Sequence, residues 1–193
     1  MEEKVIDLQT VSNVLNLIKA AILPALDKAR VIVDATAGNG NDTLFLAEHS
    51  PDQAKIYAFD IQPAALAHTR EKTAAYAQRI EYVLRSHAEI ATVVPEAIDI
   101  AMFNLGYLPG DGHVVTTKEE STRVAVTQVL EKLSLNGVCI IVAYPGHEAG
   151  AQEAVMLEKI LADLPRKEYT AGCYRLVNHV ETAPYAFVVE KVR

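Results

Sequence analysis

The chain has 193 residues, of which 50% are hydrophobic and 22% are charged, and its formal net charge is −7. This length and composition are typical of one folded domain, so we expect residues 1–193 to form a single domain. The negative charge excludes a protein that holds nucleic acid by bulk charge alone. No apolar run approaches the roughly 18 residues of a membrane helix. No long apolar stretch follows the first charged residues, Glu2 to Lys4, so we expect a cytoplasmic protein without a signal peptide.

The two cysteines give no sign of a disulfide or a metal site. Cys139 lies inside an apolar run, where a small buried side chain is expected, and Cys173 is far from it in sequence. No cluster of cysteine and histidine has the spacing of zinc ligands. We therefore expect two free thiols and no metal.

Apolar clusters alternate with amphipathic stretches, which is the pattern of an α/β domain with a mainly parallel sheet. The first predicted elements are a helix over 12–26, a strand over 31–34, a helix over 42–49, a strand over 55–59, a helix beginning at Pro63, and strands over 80–84 and 98–103.

The second half of the chain continues this alternation and then departs from it. A helix over 117–133 offers four apolar side chains to the core, namely Val124, Val126, Val129 and Leu130. A fifth strand is predicted after the turn at Asn136 and Gly137, followed by a helix over 148–164 that Pro165 ends. The last two strands, 169–178 and 183–192, have no helix between them and are expected to pair antiparallel at one edge.

The most informative segment is the loop over residues 34–43, which follows a strand and precedes a helix. Gly38 and Gly40 would let the backbone approach a ligand closely, and the next helix presents free N–H groups. This fits a nucleotide-type cofactor; a glycine turn without a ligand is the alternative. Asp60 follows about twenty residues later, where an acid can accept hydrogen bonds from both ribose hydroxyls. Asp60 could equally cap the helix that begins near Pro63, and the two roles can coexist.

The loop lacks the sequence patterns of two common nucleotide-binding loops, which limits the cofactors that it could bind. The spacing G-x-G-x-x-G of NAD-binding loops is missing, and no Gly-Lys-Ser/Thr follows, which excludes a P-loop. An acid, Asp34, begins the loop and suits a cationic ligand. S-adenosylmethionine (SAM), which carries a sulfonium and an ammonium, fits better than a pyrophosphate.

Five short motifs occur in order along the chain: 34–42 (DATAGNGND), 59–62 (FDIQ), 86–89 (SHAE), 104–110 (NLGYLPG) and 144–147 (YPGH). Together they resemble the small putative rRNA methylase family of class I, SAM-dependent methyltransferases. The resemblance implies a Rossmann-like fold with seven strands, helices on both faces and an antiparallel C-terminal unit. It also implies a tRNA methyltransferase that converts 5-aminomethyl-2-thiouridine at the wobble position to the methylaminomethyl form. The implied partners are the tRNA anticodon loop and a second copy of the chain in a homodimer, with no membrane.

The resemblance assigns cofactor contacts to Asp34, Thr36, Gly38, Asn39, Gly40, Asn41, Asp42, Thr43, Asp60, Ile61, Gln62, Ser86, His87 and Asn104. The chain departs from the family pattern in two places. His87 stands where most class I methyltransferases carry an acid that holds adenine. Asp111, Gly112 and His113 follow the Leu-Pro-Gly motif, where a Gly-Asp-Lys-like sequence is expected.

The run from Asn104 to Tyr107 is the predicted catalytic motif. It follows the fourth strand, and ligands of open α/β sheets bind beyond the carboxyl ends of the strands. It resembles the Asn/Asp-Pro-Pro-Tyr motif of methyltransferases that modify exocyclic amines. An amide oxygen and a backbone carbonyl can accept both N–H bonds of an amine, and an aromatic ring can stack on the base. The alternatives are a turn former for Asn104 and a packing aromatic for Tyr107.

An alkylamine is mostly protonated at neutral pH and must lose a proton before it can attack. The candidate bases are Asp111, His113 and His147, or water; each histidine could equally be an ordinary loop residue. The predicted catalytic residues are Asn104, Tyr107, Asp111 and His147. The predicted substrate contacts are Leu105, Tyr107, Pro109, Gly110, His113 and Tyr144.

Two sets of cations could touch RNA or simply form solvated surface: Arg70, Lys72, Arg79 and Arg85, and Arg166, Lys167 and Arg175. Three functions therefore remain open: a tRNA N-methyltransferase, a methyltransferase for rRNA or a small-molecule amine, and a nucleoside-binding domain without activity.

Overall fold

A computed structural model describes residues 12–106 and 118–193. Among these residues, seven strands form one sheet in the order β3-β2-β1-β4-β5-β7-β6. The strands are Val31–Asp34 (β1), Lys55–Asp60 (β2), Ile80–Leu84 (β3), Ile98–Asn104 (β4), Leu133–Ala143 (β5), Tyr169–Tyr174 (β6) and Tyr185–Lys191 (β7). Strands β1 to β5 pair in parallel, whereas β7 is antiparallel to both β5 and β6. The predicted α/β fold with an antiparallel C-terminal edge is confirmed.

Helices cover both faces of the sheet. They are Val14–Leu26 (α1), Asn41–His49 (α2), Pro63–Lys72 (α3), Ile90–Val93 (α4), Glu119–Lys132 (α5) and Glu148–Ala162 (α6), with 3-10 turns at Ala74–Arg79 and His87–Glu89. Helices α1 to α3 pack on one face and α4 to α6 on the other. Because side chains alternate along a strand, Ile56 and Ala58 of β2 pack on the face covered by α1 to α3, while Tyr57 and Phe59 pack on the face covered by α4 to α6. Within the described part of the chain, no helix is long and apolar enough to cross a membrane.

Three details differ from the sequence-based expectation. Val124, expected in the core, is 40% exposed, because the buried face of α5 passes through Ala125 instead. Strand β5 begins at Leu133 rather than after Asn136 and Gly137, which form an irregularity within it; Asn136 has φ 63°. Strand β6 ends at Tyr174, four residues before the predicted end at residue 178.

Both cysteines are free thiols and Cys139 is buried, as the sequence predicted, whereas Cys173 is exposed.

The order of the strands creates the place for a site. The chain starts in the middle of the sheet at β1, proceeds to β2 and β3 on one side, and then crosses to β4 and β5 on the other. Ligands of such sheets bind where the order reverses, beyond the carboxyl ends of the two central strands. Here those ends carry Asp34 on β1 and Asn104 on β4, and Asp60 ends the adjacent β2.

Candidate active site

The glycine loop, residues 35–40, is held across the carboxyl ends of β1, β2 and β4. The Ala35 N–H donates to the Met102 carbonyl at 2.9 Å, and the Ala37 N–H donates to the Phe59 carbonyl at 2.8 Å. The loop is therefore tied to both neighbouring strands by its own backbone. Its path brings Asp34, Asp60 and Asn104 to one edge of the sheet, as the sequence predicted.

Asp34 is buried at the base of this edge. One carboxylate oxygen accepts from the Thr36 N–H at 3.1 Å, and the other accepts from the Thr43 hydroxyl at 2.5 Å. Burial and the nearby charge of Asp42 raise the pKa of Asp34 to about 7. A cation placed nearby would favour the ionised form, so Asp34 suits the cationic ligand that the sequence predicted.

Asp42, in the first turn of α2, joins two parts of the site. Its Oδ1 lies 2.6 Å from the Lys19 ammonium of α1, and its Oδ2 accepts from the Asn104 side-chain amide at 2.9 Å. Sequence reasoning missed Lys19, because a lone lysine on an amphipathic helix is expected to face water. Its side chain is instead only 17% exposed.

Asp60 holds the turn between β2 and α3. Its two oxygens accept from the Gly38 N–H and the Gln62 N–H, both at 2.9 Å. The N-cap residue of α3 is Gln62, so the alternative in which Asp60 itself caps the helix does not hold; Asp60 instead accepts from the N–H of the cap residue. A carboxylate has about four acceptor directions, so hydrogen bonds from ribose remain available to Asp60. The neighbouring Ile61 is 56% exposed, although it is apolar.

The two glycines of the loop are needed for different reasons. Both have positive φ, 51° at Gly38 and 76° at Gly40, which favours glycine. At Gly40 a Cβ would lie 2.8 Å from the Thr69 Cα of α3. Gly40 is therefore also required by the close approach of α3, while its predicted role in making room for a ligand stays a prediction.

Asn104, the last residue of β4, is fixed from two sides. Its backbone N–H donates to the Thr36 hydroxyl at 2.7 Å, and its side-chain Nδ2 donates to Asp42. Gly106, two residues later, has φ 130° and packs beside the ring of Tyr144 at the end of β5. The start of the predicted catalytic motif thus lies next to the glycine loop.

Ser86 and His87 follow β3 and contact the protein. The Ser86 hydroxyl accepts from the Ala88 N–H at 3.2 Å. The two ring nitrogens of His87 lie 3.3 Å from the Ala35 carbonyl and 3.3 Å from the Ser121 hydroxyl. Burial lowers the pKa of His87, which favours a neutral ring. Its bond to Ala35 places it beside the glycine loop, and its contact with the cofactor stays a prediction.

The other predicted residues lie as follows. Leu105 is buried, and its N–H donates to the Val142 carbonyl at 3.0 Å. His147 caps α6, its Nδ1 accepting from the Gly150 N–H at 3.1 Å. Asn41 faces outward and accepts from Lys72, while Asn39 is half-buried in the loop. Five predicted residues, Tyr107, Pro109, Gly110, Asp111 and His113, lie outside the described residues.

The predicted site residues that the structure describes form neither a metal centre nor part of the groove between α5 and α6. Across residues 12–106 and 118–193, no group of histidine, cysteine and acidic side chains could hold a metal ion. A groove of about 690 Å³ lies between α5 and α6, but none of the predicted site residues lines it. The chemistry-bearing residues are concentrated at the strand ends.

Residues 56–190 match a protein family described as "Putative rRNA methylase". The chain belongs to this family. The match includes Asp60, His87, Asn104 and His147, whereas the glycine loop and α1 precede it.

Solved structures of similar proteins share the fold over nearly their whole length. A protein from Clostridium thermocellum described as "putative rRNA-methylase" is 29% identical with a TM-score of 0.89, and the alignment covers 93% of this chain and 97% of that one. A protein from Streptococcus mutans described as "a putative methyltransferase", in complex with S-adenosylhomocysteine (SAH), is 33% identical with a TM-score of 0.83 over 93% and 98% of the two chains. The seven-stranded class I methyltransferase fold is therefore confirmed.

A curated relative from Arabidopsis thaliana is named tRNA (mnm(5)s(2)U34)-methyltransferase, chloroplastic. It is 30% identical over an alignment of 170 residues, which covers 79% of this chain and 60% of the relative. The chain thus spans about 60% of the length of that relative.

Proposed function

We propose that this protein is a SAM-dependent methyltransferase of tRNA that methylates the amine of 5-aminomethyl-(2-thio)uridine at the wobble position. The observation that carries the proposal is the meeting of the glycine loop, Asp60 and the Asp42-bound Asn104 at one edge of the sheet. The Streptococcus mutans structure with SAH supports the cofactor, and the Arabidopsis relative supports tRNA.

The residues at the strand ends fit SAM. A nearby cation would favour the ionised form of the buried Asp34, whose pKa is raised to about 7, so this carboxylate complements a sulfonium or an ammonium. The Asp60 carboxylate would accept from ribose hydroxyls, and the exposed apolar side chain of Ile61 would cover one face of an adenine ring. When bound there, SAM supplies an electrophilic methyl group for in-line transfer.

The chain's contribution to methyl transfer is to position the amine. With Nδ2 of Asn104 bound to Asp42, Oδ1 is the side-chain atom that can accept an N–H from a substrate amine. A second N–H can be accepted by a backbone carbonyl of the same motif. Fixing both N–H bonds directs the nitrogen lone pair toward the methyl group, and such positioning supplies much of the catalysis in a displacement reaction.

The amine must also lose a proton. His147 lies after β5 at the same edge of the sheet, and its Nδ1 accepts from the Gly150 N–H and caps α6. We propose His147 or Asp111 as the group that receives the proton, with His113 as an alternative. Tyr107 is proposed to stack on the uracil ring.

The RNA surface that we propose is the β3 edge next to the glycine loop. Arg79 is not part of it, because its guanidinium donates to the Ser50 hydroxyl and the Pro51 carbonyl and so holds the fold together. Arg70, which lies over the Tyr82 ring, and Lys72, which reaches Asn41, are the cations that we propose to contact RNA. The anticodon loop as the bound element, a homodimer as the assembly and a cytoplasmic location complete the proposal.

The test supplies the protein and SAM with tRNA that carries 5-aminomethyluridine and, separately, with tRNA that lacks the aminomethyl group. Nucleosides from both digests are then weighed by mass spectrometry. A gain of one methyl on the aminomethyl nucleoside alone is expected. Methylation of both tRNAs, transfer to rRNA only, or transfer to small amines without any to tRNA would contradict the proposal.

A further inference from the structure

The Lys19 ammonium is held in one place by α1 and α2. It lies 2.6 Å from the Asp42 Oδ1 and 5.0 Å from the centre of the Phe45 ring. The side chain of Asp42 is 6% exposed and that of Lys19 is 17% exposed. A charge pair with so little water around it is screened weakly, so the ammonium acts strongly on the Asp42 carboxylate.

The other oxygen of Asp42 decides which way the Asn104 side chain points. An ionised carboxylate only accepts hydrogen bonds, so it binds the NH₂ of an amide and not its oxygen. The observed bond, Asn104 Nδ2 to Asp42 Oδ2 at 2.9 Å, follows this rule. The amide oxygen is consequently directed away from Asp42, in the orientation that an amine substrate requires.

We propose that Lys19 is a positioning residue: through Asp42 it fixes the Asn104 side chain with its oxygen as the atom presented to the substrate amine. This inference rests on the proposed function only for the identity of the substrate. The chain of contacts from Lys19 to Asn104 is independent of it.

The surrounding charges explain why the ammonium is needed. Asp42 on α2 is faced by Asp34 on β1, and Asp60 on β2 adds further negative charge near Asp34. Among the described residues, the Lys19 ammonium pairs with Asp42, so its loss would leave that carboxylate facing Asp34 without this compensating charge. Repulsion between the two carboxylates would then displace the Asp42 side chain, and with it the Asn104 amide that it holds.

The chain offers a matched control for removing this lysine. Lys55 also pairs with a carboxylate, Glu81 at 3.1 Å, and also lies over an aromatic ring, that of Tyr57 at 4.3 Å. It stands at the amino end of β2, opposite the site. Lys55→Met therefore removes a similar pair without touching the site.

The first experiment follows the side-chain NH₂ signals of Asn104 by NMR in the full chain, without substrate. Lys19→Met is expected to shift the proton bonded to Asp42, Lys19→Arg to restore it, and Lys55→Met to leave it unchanged. Unchanged Asn104 signals in a folded Lys19→Met protein would overturn the inference. Because no reaction is needed, this outcome does not depend on the proposed substrate.

The second experiment measures single-turnover methylation of aminomethyl tRNA and SAM affinity separately. Lys19→Met is expected to slow transfer by roughly 10- to 100-fold, the size of effect expected for a misplaced reacting group. Its affinity for SAM should be unchanged or higher, because a positive charge has been removed from a site for a cation. Lys19→Arg should recover most of the rate.

A double variant separates positioning from an independent role. If Lys19 acts through Asn104, Lys19→Met should cause little further loss in an Asn104→Ala protein. Full additivity of the two losses, or a parallel loss of SAM affinity, would overturn the inference. A wild-type protein that methylates no aminomethyl tRNA would instead contradict the proposed function, and the NMR result would still decide the role of Lys19.

Discussion

The two ends of the parallel strands carry buried or half-buried aspartates in opposite electrostatic states. At the amino end of β4, Asp99 accepts from the Ser134 hydroxyl at 2.6 Å and from the backbone N–H groups of Arg30 and Val31 at 2.8 and 3.1 Å. Burial opposes its charge, but these hydrogen bonds outweigh burial and hold the pKa of Asp99 below its usual value.

Asp34, at the carboxyl end of β1, has the reverse balance. Burial and the charge of Asp42 outweigh its hydrogen bonds from Thr43 and Thr36, and its pKa is raised to about 7. A carboxylate that is satisfied by the protein serves the fold, whereas one whose charge the protein leaves uncompensated is suited to a ligand. The comparison therefore assigns stability to the amino ends of these strands and function to their carboxyl ends.

The largest expected effect lies at the carboxyl end of β4. Asn104→Ala should lower the rate of methyl transfer by roughly 100- to 1,000-fold, as the loss of a positioned hydrogen-bonding group in an active site does. SAM affinity should change little, because the proposed bond from Oδ1 is to the amine. Rates from single-turnover assays and affinities from calorimetry measure the two separately. If both fall together, Asn104 holds the cofactor and the amine assignment is wrong.

The next effect tests the opposite end of the sheet. Asp99→Ala removes the acceptor for three hydrogen bonds, two of them from backbone N–H groups, and should lower the free energy of unfolding by about 3 kcal/mol. The methylation rate of the protein that remains folded should stay within about twofold of wild type. Urea unfolding and the rate assay check these two values. A large loss of activity without loss of stability would remove the distinction between the two ends.

A smaller effect is expected on stability, where replacing Gly40 tests how closely α3 packs on the glycine loop. Gly40→Ala should lower the free energy of unfolding by about 2 kcal/mol, because a side chain at φ 76° is strained and its Cβ would lie 2.8 Å from the Thr69 Cα. Gly172→Ala is the matched control: a Cβ there would meet nothing within 4 Å. Thermal unfolding of both variants gives the comparison. Equal stability of the two variants would show that α3 can move away from the loop.

Much of this architecture could be predicted from sequence because it depends on local patterns. Short apolar runs that end in Asp34, Asp60 and Asn104 predicted three strands, and the register of parallel strands then brings their carboxyl ends together. The C-terminal pair was predicted from the missing helix between β6 and β7. These features need only the periodicity of side chains and the rules of strand connection.

What the sequence could not predict depends on contacts between distant elements. Lys19 lies 23 positions before Asp42, and no spacing rule links a lysine of α1 to an acid of α2. Likewise, the need for glycine at position 40 comes from Thr69, which approaches only when α3 packs on the loop. The electrostatic difference between Asp34 and Asp99 is invisible in sequence, since each is an aspartate at one end of an apolar run.

The last prediction measures that electrostatic difference directly, through the protons exchanged when SAM binds. With its pKa raised to about 7, Asp34 in the free protein is mostly protonated at pH 6 and mostly ionised at pH 8. A bound cation favours the ionised form, so at low pH binding must first displace the proton. SAM affinity should therefore rise by roughly tenfold from pH 6 to pH 8. This change corresponds to about 1.4 kcal/mol of binding free energy.

Calorimetry at several pH values, in buffers of different ionisation enthalpy, would measure both the affinity and the proton released. Asp34→Asn cannot release this proton and should bind SAM with an affinity that is nearly independent of pH over the same range. Replacing Asp99 should leave the wild-type pH dependence intact, because its pKa is lowered and it stays ionised throughout. Equal affinity of the wild type at pH 6 and pH 8 would mean that Asp34 is not near the bound cation. The electrostatic difference between Asp34 and Asp99 would then affect the stability of the fold but not the binding of SAM.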